Sequence, residues 1–164
     1  MENSNLPVSQ GQPAEARSRA DSQTKVCLLT IGGEVYAVDL RHVREVFEVD
    51  VITPVPGMPS ALVGVTNVRG AVVPVMDLRR MMDVPTTGPA PQYAVIIKHG
   101  NHHVGVLVER VPEIRTVQTE QFLPTPSGDA REGKPFLTAV LRLDDRMGGV
   151  VEVPTLLACM ETGS

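Results

Sequence analysis

Few residues in this sequence are arranged for chemistry. His99, His102 and His103 gather around Gly100-Asn101. Neighbouring residues of a strand point to opposite faces, so His102 and His103 cannot easily share one metal. They read as turn histidines, and no metal site is expected. Asp144-Asp145-Arg146 could do acid–base work, but it reads equally as solvated charge at a hairpin tip. Cys27 and Cys159 lie far apart in apolar patterns with no Cys-x-x-Cys spacing, and read as small buried thiols. Gly-x-Ser-x-Gly, Gly-x-x-x-x-Gly-Lys and His-Glu-x-x-His motifs are absent. Gly64 and Gly70 do not fit a dinucleotide fingerprint, since no βαβ unit surrounds them. Glu109-Arg110 at a strand end reads as a surface pair of little energetic weight. With no nucleophile placed near a base, neither an enzyme activity nor a cofactor is expected.

Arg69 is the residue with an unusual setting. It stands in Gly64-Val65-Thr66-Asn67-Val68-Arg69-Gly70-Ala71-Val72-Val73-Pro74-Val75-Met76-Asp77-Leu78. Two β-branched runs flank an Arg-Gly step, which predicts a hairpin with its tip at Val68 to Gly70. Gly64, Asn67 and Gly70 form the expected structural turn. Pro74 donates no ladder hydrogen bond, so its strand should be an edge or carry a bulge. A cation at the tip of an apolar hairpin is poorly placed for burial and well placed to meet a partner.

The elements that position Arg69 are short strands. Val26–Ile31 and Val35–Val38 flank a Gly32-Gly33 turn, and Asp39 can cap a short helix. Val46–Ile52 is extended, Pro54, Pro56 and Pro59 break regular structure, and Ser60–Leu62 suits one helical turn. Asp77–Met82 is a short helix, followed by a loop over 84–92. Tyr93–Lys98 and His103–Val108 pair, Ile114–Val117 is extended, and Thr119–Phe122 suits one helical turn. A polar loop covers Pro124–Lys134. Phe136–Leu143 and Met147–Val153 pair last, and Pro154 suits the start of a closing helix. About ten strands with scraps of helix predict an all-β fold of two small barrels sharing one compact unit. Each half would have about 65 residues, near the lower limit for a self-sufficient core.

The chain has 164 residues, a formal net charge of −4 and 3% aromatics, so Val, Leu, Ile and Met must build the core. Nothing points to nucleic acid. No apolar run approaches the ~20 residues of a membrane span, so no membrane insertion is expected. Residues 1–23 are polar, with no secretion signal, and are expected to be a disordered tail. The expected compartment is a reducing cytoplasm.

The residues from about Val26 to Leu157 resemble the CheW family of bacterial chemotaxis coupling proteins. The stretch Gly64 to Gly70 followed by Val73-Pro74-Val75-Met76-Asp77-Leu78 is similar to that family's G-x-x-N-x-R-G and x-P-x-x-D-L signature. Tyr36-Ala37-Val38-Asp39, Val43-Arg44-Glu45-Val46, Val55-Pro56 with Pro59, Gly105-Val106-Leu107-Val108-Glu109 and Asp145-Arg146 also fit. Ala139, Gly148-Gly149 and Pro154 depart from the pattern, at the closing edge of the second barrel. The resemblance implies two interlocked five-stranded SH3-like β-barrels within residues 24–160. The first is expected over about 24–84, the second over about 93–153, and the closing helix over about 154–160. It implies a non-catalytic adaptor linking a methyl-accepting chemoreceptor tip to the adaptor-like regulatory domain of a CheA-type histidine kinase. Val43, Glu45 and Arg69 match the receptor-contacting surface. The same kind of adaptor serves receptor–kinase systems controlling pili and twitching, development or second-messenger output. A barrel enzyme or ligand-binding protein would instead need a pocket of perturbed titratable groups.

Overall fold

The first strands follow from local sequence. β1 (Gln23–Ile31) and β2 (Glu34–Asp39) pair antiparallel, with Ile31 opposite Glu34. Gly32 and Gly33 both take positive φ (63° and 80°), which closes the two-residue turn between them. The computed structural model describes residues 22–88, 90–125 and 134–161. The predicted tail therefore lies almost wholly outside the described residues, and Gln23 already belongs to β1.

The other strands are β3 (Val43–Glu48), β4 (Leu62–Val68), β5 (Ala71–Met76), β6 (Tyr93–His99), β7 (His102–Val108), β8 (Glu113–Gln118), β9 (Phe122–Pro124), β10 (Leu137–Arg142) and β11 (Met147–Val151). A 3-10 turn over Leu40–His42 follows β2, capped by Asp39 as expected: the Arg41 N–H donates to Asp39 Oδ1 at 2.9 Å. Helix α1 (Leu78–Met81) is capped in the same way by Asp77, and helix α2 (Val153–Glu161) closes the fold. The fold is all-β with short helices. Ser60–Leu62 is a turn leading into β4, not a helical turn. Only Thr119–Gln121 is helical near residue 120, and Phe122 opens β9.

The strands form a six-stranded sheet in the order β8-β1-β2-β11-β10-β9 and a five-stranded sheet in the order β3-β6-β7-β5-β4. The expected division at the 84–92 loop, with barrels over 24–84 and 93–153, does not hold. Residues 43–108 make the five-stranded sheet as one insert, while the six-stranded sheet combines 23–39 with 113–151. The six-stranded sheet is joined across the insert by antiparallel β1–β8 and parallel β2–β11, and the five-stranded sheet is joined across residues 84–92 by antiparallel β3–β6 and parallel β5–β7.

Alternation sorts the side chains between three cores. Val26, Leu28 and Ala37 join Val117 and Leu141 inside the six-stranded sheet. Val75, Ala94 and Leu107 lie inside the five-stranded one, with Phe47 and Val63 packed on them. The largest cluster lies between the sheets. It takes Cys27, Leu29 and Ile31 from β1, Val95 and Ile97 from β6, Val104 and Val106 from β7, and Val153, Leu156, Leu157 and Met160 from α2.

Two expectations about the signature strands are corrected. Pro74 sits on β5, between β7 and β4, rather than on an edge strand. It is tolerated because pairing with β7 covers only Val75 and Met76, so no ladder donor is required at Pro74. Gly64 is not part of the turn. It lies within β4, opposite Val75, beside a bulge. Its φ is +154°, and a Cβ there would stand 2.8 Å from the Thr53 carbonyl carbon. The glycine permits the 53–65 backbone approach, where Thr53 and Val65 exchange hydrogen bonds of 2.8 and 2.9 Å.

The departures at Gly148-Gly149 have a local reason. Gly149 pairs with Tyr36 across the parallel β2–β11 contact. A Cβ on Gly149 would meet the Tyr36 ring at 3.1 Å, and one on Gly148 the Val35 carbonyl oxygen at 3.1 Å. The bare backbone lets β11 approach β2 beneath an aromatic ring.

Candidate functional site

The β4–β5 hairpin turns over two residues, with Val68 opposite Ala71. Arg69 and Gly70 both have positive φ (52° and 86°), the type I′ pattern that suits hairpin twist. Asn67 secures the turn: the Gly70 N–H donates to Asn67 Oδ1 at 2.9 Å. Asn67 and Gly70 thus build the tip, and Arg69 stands on it with 81% of its side chain exposed.

Glu45 reaches Arg69 from β3. Arg69 Nη1 donates to Glu45 Oε1 at 3.2 Å, and Nη2 stands 3.0 Å from Oε2. Oε2 is buried and accepts no hydrogen bond, so the second contact is purely ionic. β3 and β4 are the two ends of the five-stranded sheet. The ion pair therefore spans the seam where that sheet closes on itself. Further along the same seam, the Thr66 hydroxyl donates to the Val51 carbonyl at 2.7 Å.

A bulge decides what Glu45 faces. Val43 pairs with Ile97 but Glu45 pairs with Ile96, so one residue of β3 is extra. Simple alternation would put Val43 and Glu45 on one face. The bulge turns Val43 toward the core between the sheets, where it is half-buried, and Glu45 toward the mouth of the five-stranded barrel. Of the three expected contact residues, the structure joins Glu45 with Arg69 and sends Val43 to the other face.

The barrel mouth is a cleft of about 230 Å³ lined by Arg44, Glu45, Val68, Ala71, Val73, Ile96, Lys98 and His103. Lys98 and His103 face each other across β6 and β7. Sequence reading missed Arg44 and Lys98 and left His103 as a turn residue, although hairpin register alone would have paired His103 with Lys98. Arg44 and Lys98 line the same cleft as Glu45, whose carboxylate pairs with Arg69. His99 and His102 pair on the opposite face, where His42 meets His99 edge-on at 5.6 Å. Among the described residues, no group of three or more His, Cys, Asp or Glu could hold a metal. The shape suits a docking surface: an apolar floor, a positive rim and one rigid projecting cation.

Asp77 of the same signature serves a different purpose. It pairs twice with Arg79 (3.0 and 2.8 Å), and both side chains are under 10% exposed. That hydrogen bonding raises the Arg79 pKa above its ordinary value. Asp77 anchors α1 rather than a partner.

A family model described as the CheW-like domain matches residues 25–160. The chain belongs to the CheW-like family. Its CheW-like domain is 29% identical over 135 residues to the chemotaxis protein CheW of Klebsiella aerogenes, covering 82% of this chain and 81% of that protein. It is 31% identical over 133 residues to the probable chemotaxis protein CheW of Rhizobium etli, covering 80% and 86%. Protein FrzA of Myxococcus xanthus is 31% identical over 99 residues, covering 60% of this chain and 62% of its own. The crystal structure of the scaffolding protein TtCheW from Thermoanaerobacter tengcongensis shares the fold. Its TM-score is 0.68 at 23% identity, covering 78% of this chain and 88% of that one.

Proposed function

We propose that this CheW-like domain is a non-catalytic chemotaxis adaptor that couples a chemoreceptor's cytoplasmic tip to a CheA-type histidine kinase. The observation that carries the reading is Arg69, held out on a rigid turn at a charged barrel mouth. A planar guanidinium at a fixed position suits a carboxylate on a partner. Arg44 and Lys98 in the cleft, with Arg69 beside it on Glu45, favour an acidic helical tip, and Val73 and Ile96 supply apolar contact. The kinase binds other faces of the two barrels. The adaptor works in the cytoplasm, at receptor arrays. Among the described residues, no helix is long and apolar enough to cross a membrane.

The experiment is a pulldown from cell extract with the full chain as bait, read by mass spectrometry. Co-purification of a chemoreceptor and a histidine kinase is expected, and recovery of neither overturns the proposal. The similarity to Protein FrzA favours a second reading, in which the same adaptor serves a receptor–kinase pathway other than chemotaxis. The identity of the recovered kinase separates the two.

A further inference from the structure

Glu109 directly follows β7, and its surroundings differ from the surface pair with Arg110 expected from sequence. Its carboxylate reaches the other sheet. The Gly32 N–H donates to Glu109 Oε2, and the Gly33 N–H donates to Oε1 at 3.2 Å. Its own N–H donates to the Thr30 carbonyl at 3.0 Å. The residue that follows the last strand of the five-stranded sheet thus grips the β1–β2 hairpin of the six-stranded sheet at three points, two in its turn and one in β1.

The grip depends on local geometry. Successive backbone N–H groups of a turn can form a concave anion site, and those of Gly32 and Gly33 both donate to the Glu109 carboxylate. Val84 Cγ1 reaches 2.5 Å from where a Cβ on residue 32 would lie, so the turn also fits against the loop after α1. Arg79, held by Asp77, feels the Glu109 charge and lines the same cleft.

We infer that Glu109 is a clasp that sets the angle between the two barrels. The cluster between the sheets is apolar, and its attraction is non-directional: close packing limits the barrels to a narrow range of rotations without singling out one rotation within it. Charge-assisted hydrogen bonds into such a site are directional. They choose that rotation, and a partner touching both barrels then meets a preset surface. This inference concerns internal geometry and stands whether or not the adaptor reading does.

The test uses residual dipolar couplings on the full chain and on Glu109→Ala and Glu109→Gln. In the unaltered protein, amides of both sheets should fit one alignment tensor. In Glu109→Ala each sheet should still fit a tensor of its own, but the two should differ in orientation or amplitude. Glu109→Gln, which keeps one acceptor, should fall between. A single shared tensor in a folded Glu109→Ala protein overturns the clasp. If Glu109→Ala does not fold, a shared and unaltered tensor in Glu109→Gln overturns it. Failure of both variants to fold makes Glu109 a general support of the fold, which also overturns it.

Discussion

Arg69→Asn separates a residue kept for binding from one kept for folding. Arg69 occupies φ 52°, a left-handed conformation that costs most L-residues about 1–2 kcal/mol and Asn less. Asn followed by Gly70 is the preferred pair for this turn. The substitution should therefore return about 1 kcal/mol of backbone strain. Against that stands the ion pair with Glu45. With 81% of the Arg69 side chain exposed, solvent screening limits the pair to about 0–1 kcal/mol. The two terms nearly cancel, so the melting temperature should stay within about 4 °C of the unaltered protein. Binding should respond differently. Removing one partner of a packed charge pair costs about 2–5 kcal/mol, a loss of roughly thirty-fold to several thousand-fold in affinity. The assay is calorimetric titration against a receptor-tip fragment and, separately, against the kinase's adaptor-like domain. Receptor binding should be nearly lost while kinase binding persists. Unchanged receptor affinity would place the binding surface elsewhere. Equal loss toward both partners, or a fall of more than about 8 °C, would mean that Arg69 holds the seam closed.

Gly64→Ala should lower stability by about 2–4 kcal/mol, from backbone strain and overpacking against Thr53; thermal melting checks it, and a shift under about 3 °C would contradict the geometry. Burial pushes the Cys27 thiol up to about 11 from 9.0. The unfolded chain then loses that proton first as pH rises. Stability should be unaffected by this group below pH 9 and fall by about 2–3 kcal/mol between pH 9 and 11, a slope absent from Cys27→Ala. The fragment 43–108 contains a whole five-stranded sheet but leaves one side of the largest core uncovered. It should fail to give a cooperative melt, whereas the full chain should melt in one step; a stable fragment would show that the barrels are independent.

Strand positions were legible because alternation and turn residues are local: Gly32-Gly33, Gly70 and Asp39 each behave as their side chains dictate. Strand partners were not. Val35–Val38 looks the same in sequence whether it pairs with β11 or ends a barrel of its own, and the parallel pairing of Gly149 with Tyr36 and Val150 with Ala37 makes the difference. Arg69 was legible as an exposed tip. Its link to Glu45 was not, because a one-residue bulge in β3 breaks the alternation that would place Glu45. The roles of Gly64 and Glu109 were hidden for a related reason. Each depends on a backbone distant in sequence, Thr53 for one and the Gly32-Gly33 turn for the other.

The nesting of one sheet inside the sequence of the other has a consequence for synthesis. The inner sheet has all its strands once Val108 has emerged from the ribosome. The outer sheet begins at Gln23 yet lacks a strand until Val151. At a translation rate of about 5–20 residues per second, the β1–β2 hairpin waits roughly 5–20 s for its neighbours. An isolated hairpin is marginal in water, and this one holds Cys27, Leu29 and Ile31 for a core that is completed only when the closing helix emerges. The nascent chain should therefore mature from the middle outward. During that interval its oldest segment is the one that a ribosome-bound chaperone would have to shield.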